Sequence, residues 1–314
     1  MLQPGGLAHT ALHAVWEATC KELESGWCDA APLAAGFSTP VAERWDVLSY
    51  SDMDSHPWVH GSDDLRAVRR FGVEQKGAIR PIDDCSENGY NDITGSRDKL
   101  SLIRADMPVQ VARAFAAERV SWEASLRQAG KWESSRGSAT AGETEAFEEA
   151  LDDCKKAFRR EPTVRPMVVC VYNPHTRRAG FIVLPCFVFG CFSAVHGWNR
   201  YAHFATHVCR RLLAAVVTEY FDDFQFYGPP WDCGSSQACS GALLDLIIGF
   251  DAAKHHPPDQ VRVTLGAQCD FSRLPLTHLV TWKSLRSGRR SCASSSTRPC
   301  WPRVSHTRGL QVIR

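Results

Sequence analysis

The sequence predicts an α+β fold in which an antiparallel sheet is backed by helices. Three observations carry that prediction. Residues 216–221 and 224–227 are β-prone runs separated by Asp222 and Asp223, the pattern of a hairpin with an acidic tip. Residues 167–172 and 179–184 are two further strand candidates, joined by the turn Asn173-Pro174-His175-Thr176-Arg177-Arg178. Apolar residues recur at helical spacing over 7–24, 100–129 and 193–215. With 314 residues, 44% of them hydrophobic and 23% charged, the chain can bury the core of one large domain or two ordinary ones.

Taken in order, Leu7, Leu12, Val15, Trp16, Thr19 and Leu23 form the apolar stripe of a first helix, which Gly26 can stop. Residues 30–40 read as a loop, and 64–70 as a short helix or turn. Residues 71–75 and 78–82 pair as a hairpin with Lys76-Gly77 at its turn. Residues 100–129 are helical, with Pro108 starting a new helix, and the Ser/Gly-rich stretch 130–142 is a loop. The helix over 193–215 carries Val195, Trp198, Ala202, Ala205, Val208, Leu212 and Leu213 on one side. An apolar run at 243–250 and a short strand at 261–265 complete the body.

Charge and cysteine usage narrow the function classes. The formal net charge is +1, but no acid follows Asp270, while nine basic residues do. Taking those nine from 36 leaves 27 basic against 35 acidic residues in 1–270, a net of −8. Such a body lacks the basic footprint of a simple nucleic-acid-binding module and suits an enzyme that gathers carboxylates around metals. Thirteen cysteines form neither a C-x-x-C pair nor a zinc-ligand cluster, which fits free thiols in a reducing, intracellular location, nuclear or cytoplasmic. No signal peptide is expected. The most apolar stretch, 179–195, is broken by Pro185 and Gly190, so no membrane span is expected either.

The acidic tip is where chemistry is expected. Two carboxylates at a hairpin turn project together, and hard oxygen ligands of that kind suit Mg²⁺, which keeps coordination positions for water or phosphate. On the 71–82 hairpin, Lys76 and Arg80 would lie near one another and could grip a polyphosphate. A second acidic pair, Asp152-Asp153, precedes Phe158.

In this order the motifs resemble the palm of reverse transcriptases, closest to the reverse transcriptase-like proteins of retroelements. The resemblance spans about residues 71–270. Arg80-Pro81-Ile82-Asp83-Asp84 looks like the fingers segment that contacts the incoming triphosphate. Leu184-Pro185, Phe189-Gly190, Ser193-Ala194-Val195 and Trp198-Asn199-Arg200 look like the block that begins the helix under the template and nascent base pair. Tyr220-Phe221-Asp222-Asp223 looks like the Y-x-D-D catalytic hairpin. Lys254 looks like the lysine near the leaving pyrophosphate, and Leu265-Gly266 like the short block before the thumb. The family's D-L-K-x-A-Y/F pattern selects Asp153 over Asp152, because Phe158 then falls five residues later, where it selects deoxynucleotides by excluding a 2′-hydroxyl.

The resemblance implies a polymerase-type palm with fingers and a specific division of labour. Asp153, Asp222 and Asp223 would hold two Mg²⁺ ions, with Mn²⁺ as a substitute. Lys76, Arg80, Phe158, Gly190, Asn199 and Arg200 would contact substrate, and Lys254 would protonate the departing pyrophosphate. The partners are a nucleic-acid template-primer and deoxynucleoside triphosphates, and the implied activity is RNA-directed DNA polymerisation. The chain then divides into an N-terminal helical or irregular region (1–70), fingers with a helical insertion (71–150), a palm (151–270) and a basic tail (271–314). That tail lacks acids and a regular apolar stripe, and 291–302 is Ser/Arg/Cys/Pro-rich. The thumb is therefore expected to be missing or degenerate, the tail disordered and the polymerase weakened by truncation. The alternative expectation is a non-catalytic palm remnant that binds nucleic acid or a protein partner.

Overall fold

A computed structural model describes residues 6–33, 39–59, 66–75, 77–95, 99–130, 146–250, 252–274, 280–284 and 311–313. In chain order its elements are helix α1 (Gly6–Glu24), strands β1 (Ala31–Pro32) and β2 (Trp45–Asp46), helix α2 (Tyr50–Ser55), and strands β3 (Ala67–Gln75) and β4 (Ala78–Asp84). Helix α3 (Met107–Gln128), strands β5 (Glu148–Cys154), β6 (Pro162–Asn173) and β7 (Arg178–Cys186), and helix α4 (Phe192–Leu213) follow. Strands β8 (Val216–Tyr220) and β9 (Asp223–Gly228), helix α5 (Pro230–Ile248), and strands β10 (Ala252–Asp259), β11 (Val261–Thr264), β12 (Ala267–Asp270), β13 (Val280–Ser284) and β14 (Gln311–Ile313) complete the chain. The fold is α+β. It forms two compact units, one of residues 1–100 and 156–201, the other of 101–155 and 202–314.

The first unit is built on a sheet of order β4-β3-β6-β7. β3 pairs antiparallel with β4 and parallel with β6, and β6 pairs antiparallel with β7. Helix α1 buries Val15, Trp16, Cys20 and Leu23 in the same core as Val68, Val169, Ile182 and Leu184. Burying a side chain of this size contributes about 1.5–3 kcal/mol. The helix ends as Gly26 permits: Gly26 takes a φ of +70°, its N–H bonds the Leu23 carbonyl, and the Trp27 N–H reaches back to Glu22. The sequence reading of 64–70 as helix or turn is corrected here. Ala67–Arg70 belongs to β3, because pairing with strands on both sides outweighs weak local preference.

A second sheet, of order β10-β5-β9-β8, is antiparallel throughout and forms the base of the second unit. Ala150, Phe224 and Phe226 are fully buried, as are Cys233 and Leu244 of α5, the helix in contact with β5, β9 and β10. The 243–250 run is thus the end of α5, closed by Gly249 in the left-handed region. Phe147, Tyr227, Cys269, Phe271, Leu274 and Val280 form a further core with Val109 and Ala112 of α3. β11, β12, β13 and β14 make an antiparallel meander. Val280–Ser284 is therefore a paired strand inside the tail expected to be disordered, and Val280 is buried because it packs in that core. Residues 291–302 and 131–142 lie outside the described residues.

Candidate functional site

The acidic hairpin forms, with a one-residue correction. The turn is Phe221-Asp222, and Asp223 is already the first residue of β9, paired with Tyr220. A two-residue loop forces the shift, since the Tyr220–Asp223 pairing leaves only two residues to reverse the chain. Phe221 accepts the left-handed region, with φ +55°, which costs an L-residue about 1–2 kcal/mol. Its ring packs edge-on against Tyr220, centroids 4.9 Å apart.

Strand pairing brings the distant aspartate to this tip. Asp153 lies directly opposite Asp223, and Lys254 directly opposite Asp153. Lys254, Asp153, Asp223 and Tyr220 thus make one cross-strand row on one face of the sheet, since directly paired residues share a face. The Cys154 N–H donates to the Asp222 carbonyl at 2.7 Å, tying the end of β5 to the tip. Asp152 faces the other way. It is buried and accepts from Gln237 Nε2 at 2.9 Å, and its Oδ1 lies 2.7 Å from His255 Nδ1. Strand alternation, not a helix, is what separates the two neighbouring aspartates.

The row is electrostatically strained. Burial, then the Asp222 and Asp153 carboxylates, push the Asp223 carboxyl up to about 6, and Lys254 only partly opposes them. Lys254 Nζ forms a hydrogen-bonded ion pair with Asp153 Oδ2. That bond raises the lysine's pKa, against desolvation and with help from the carboxylates of Asp153, Asp223 and Asp222. A lysine held this way is a poorer proton donor near neutrality than a free one.

The carboxylate oxygens are a hard donor set of the kind Mg²⁺ or Mn²⁺ takes. Among the described residues, however, no three His, Cys, Asp or Glu side chains are already grouped as a metal site. An ammonium, that of Lys254, stands on Asp153 instead.

Tyr220 also lines a cleft of about 340 Å³ with Ile103, Ala105, Leu265, Gly266, Ala267 and Trp282. Leu265 and Gly266 both have positive φ, +53° and +75°, as the two-residue turn joining β11 to β12 requires.

The remaining predicted site residues lie in the first unit, whereas Asp153, Asp222, Asp223 and Lys254 lie in the second. The expected β3–β4 hairpin forms and Arg80 is exposed on β4 opposite Val73; Lys76 lies outside the described residues. Phe158 follows β5 in a short 3₁₀ turn and packs 5.9 Å from the Phe189 ring. Gly190 has φ +101°, and a Cβ there would fall 2.4 Å from the Asp83 carbonyl oxygen. Asn199 is buried and Arg200 exposed on α4. Arg200 lies near Glu161, a carboxyl that burial raises to about 7 against the arginine's pull.

Two clusters escaped the sequence reading. Arg70 is fully buried, bidentate to Asp83 at 2.7 and 3.1 Å and bonded to Glu22 at 2.9 Å, while Arg159 also reaches Glu22 and Asp83. Asp83, in the segment resembling a triphosphate contact, is thus engaged in an internal ion-pair network. His203 bridges Glu219 and the Ser101 carbonyl. Neither cluster has a local signal, because its members come from separate elements.

No protein-family model matches the chain, and a search of curated proteins returns no significant match. Among the described residues no helix is long and apolar enough to cross a membrane.

Proposed function

We propose that the chain is a reverse transcriptase-like nucleotidyltransferase, an RNA-directed DNA polymerase acting on a template-primer with deoxynucleoside triphosphates. The observation that carries this reading is the direct pairing of Asp153 with Asp223 beside the Phe221-Asp222 turn. It brings carboxylates from remote parts of the sequence together at one end of the two central strands of an antiparallel sheet, an arrangement that suits two-metal phosphoryl transfer. In this reading Asp153 and Asp222 would hold both ions and Asp223 would support one. When bound, Mg²⁺ supplies the positive charge that acidifies a primer 3′-hydroxyl and neutralises a triphosphate. Arg80 binds phosphate oxygens through its planar fork, and Phe158 excludes a 2′-hydroxyl. Lys254, once it leaves Asp153, gives its proton to the departing pyrophosphate. An intracellular location, nuclear or cytoplasmic, belongs to the same reading.

Primer extension on an RNA template with Mg²⁺ or Mn²⁺ tests the proposal. Wild type should add nucleotides, and Asp222→Asn and Asp153→Asn should abolish addition. Extension that survives both substitutions, or is lacking in folded wild type, rejects it.

A second reading, a non-catalytic palm remnant that binds nucleic acid or a partner protein, draws on one observation. The Lys254–Asp153 ion pair occupies a carboxylate the enzyme would need for metal. Template-primer binding without extension, unaffected by Asp222→Asn, favours the remnant.

A further inference from the structure

Strand β10 is anchored to β5 at both ends but is the longer of the two between its anchors. Ala252 pairs with Cys154 and Asp259 with Glu149. One extra residue of β10, Ala253, is bulged out between Ala252 and Lys254, and another lies between His256 and Asp259. Lys254, His255 and His256 are the run left in step, opposite Asp153, Asp152 and Leu151. Backbone bonding fixes this run weakly, because Pro257 and Pro258 beside it have no N–H to give. The spare residue at each end also lets the run slide by one place with both anchors kept. His255 would then face Asp153 and His256 would face Asp152, while Lys254 would join Ala253 in the bulge. A nitrogen would still stand opposite each aspartate, so charge pairing by itself does not choose between the two registers.

Two side chains outside β10 do choose. Gln237 of α5 is buried, and its Nε2 donates to Asp152 Oδ1 at 2.9 Å and to the His256 carbonyl at 3.1 Å. Arg262 of β11 donates through Nη2 to the Pro257 carbonyl, and through Nη2 and Nε to the Glu149 carbonyl at 3.3 and 3.4 Å. Each side chain therefore ties one particular carbonyl of β10 to one particular residue of β5. A slide by one residue moves those carbonyls about 3.3 Å, out of hydrogen-bond reach. We propose that Gln237 and Arg262 are positioning residues, a register lock on β10 that puts Lys254 rather than His255 opposite Asp153. The use of Lys254 there, giving a proton to pyrophosphate, rests on the nucleotidyltransferase reading; the register does not.

Zero-length carbodiimide coupling of the full-length chain, read by tandem mass spectrometry, reports the register, because only an amine and a carboxylate in contact are joined. Wild type should give a Lys254–Asp153 cross-link, since the lysine side chain is 63% exposed and the aspartate 15%, open to the reagent. Gln237→Met and Arg262→Met should each lower its yield severalfold, and Arg262→Lys, which keeps a donor, should restore most of it. Yields are compared between chains that keep the wild-type circular dichroism; should Gln237→Met not fold, Arg262→Met carries the test. Undiminished cross-linking in either folded variant would overturn the proposal, as would an equal loss in Arg262→Lys. Primer extension adds a readout that simple destabilisation does not move. The Met variants should lose about tenfold or more in kcat with the KM for nucleotide unchanged, because general-acid catalysis contributes on the order of 10²–10⁴. A folded wild type that does not extend primers rejects the nucleotidyltransferase reading, while the cross-link still decides the register.

Discussion

Two groups of carboxylates in this chain meet opposite fates. In the first unit Glu22 and Asp83 sit in the interior with Arg70 and Arg159 wrapped around them. In the second unit Asp153 and Asp223 face each other across the two central strands, beside the turn residue Asp222, with Lys254 bonded to Asp153. The pKa directions record the difference. Burial alone would raise Glu22, yet Arg70 and Arg159 hold it below the usual carboxylate range. Asp223, with carboxylate neighbours and a lysine that only partly offsets them, rises to about 6. The first group is complete as folded. In the second, Lys254 offsets the crowding at Asp223 only in part.

The sharpest way to break this comparison is Arg70→Met, which leaves the buried acids Glu22 and Asp83 to Arg159 alone. The loss should be about 3–5 kcal/mol, because uncompensated buried charge costs far more than the intact pair contributes. Urea unfolding midpoints will show it, and a loss below about 1 kcal/mol would mean that the network is not structural. Gly197→Ala comes next. A Cβ there would lie 1.9 Å from Glu161 Oε1, so the buried carboxylate must be displaced, at about 1–3 kcal/mol. Thermal melting of the variant measures that cost.

The pH dependence of the two groups should have opposite sign. Glu22, lowered from 4.5, stabilises above its unfolded pKa, and that contribution is lost as pH falls through the folded value. Asp223, raised from 3.8 to about 6, gives its contribution in full below 3.8 and loses it as pH rises through about 6. Asp223→Asn should therefore stabilise the chain at pH 8 relative to pH 4, by at most about 1 kcal/mol after solvent screening. Paired denaturation curves at the two pH values decide it, and equal effects at both would remove the claim of crowding. The smallest effect is expected for Lys254→Met. Its ammonium is 63% exposed, so the ion pair should contribute no more than about 1 kcal/mol to stability. A change several times larger would show that the lysine is a structural strut of the sheet edge.

Some of this was legible in the chain and some was not. Helix α1, the β3–β4 hairpin, β6 and β7 follow from apolar periodicity and turn residues, because local steric and burial preferences agree with the final pairing there. The hairpin at 216–228 was legible apart from its turn, which register shifted by one residue onto Phe221-Asp222. Val280–Ser284 was not legible, since its strand state depends on an edge offered by β12 and a core offered by Phe271 and Leu274. The same holds for Arg70, whose charge signalled nothing about Thr19, Glu22 and Asp83, its partners on other elements.

By itself the sequence determined where carboxylates, thiols and apolar stripes occur, hence the α+β class and an acidic hairpin tip. The motif spacing favours Asp153 over Asp152, but only the tertiary structure decided that it meets that tip. In a strand, neighbours face opposite ways, so the pairing of β5 with β9 sends Asp153 towards Asp223 and Asp152 towards Gln237 and His255. Which lysine binds Asp153 was likewise set by a contact between residues about a hundred positions apart, and no local preference encodes such a distance.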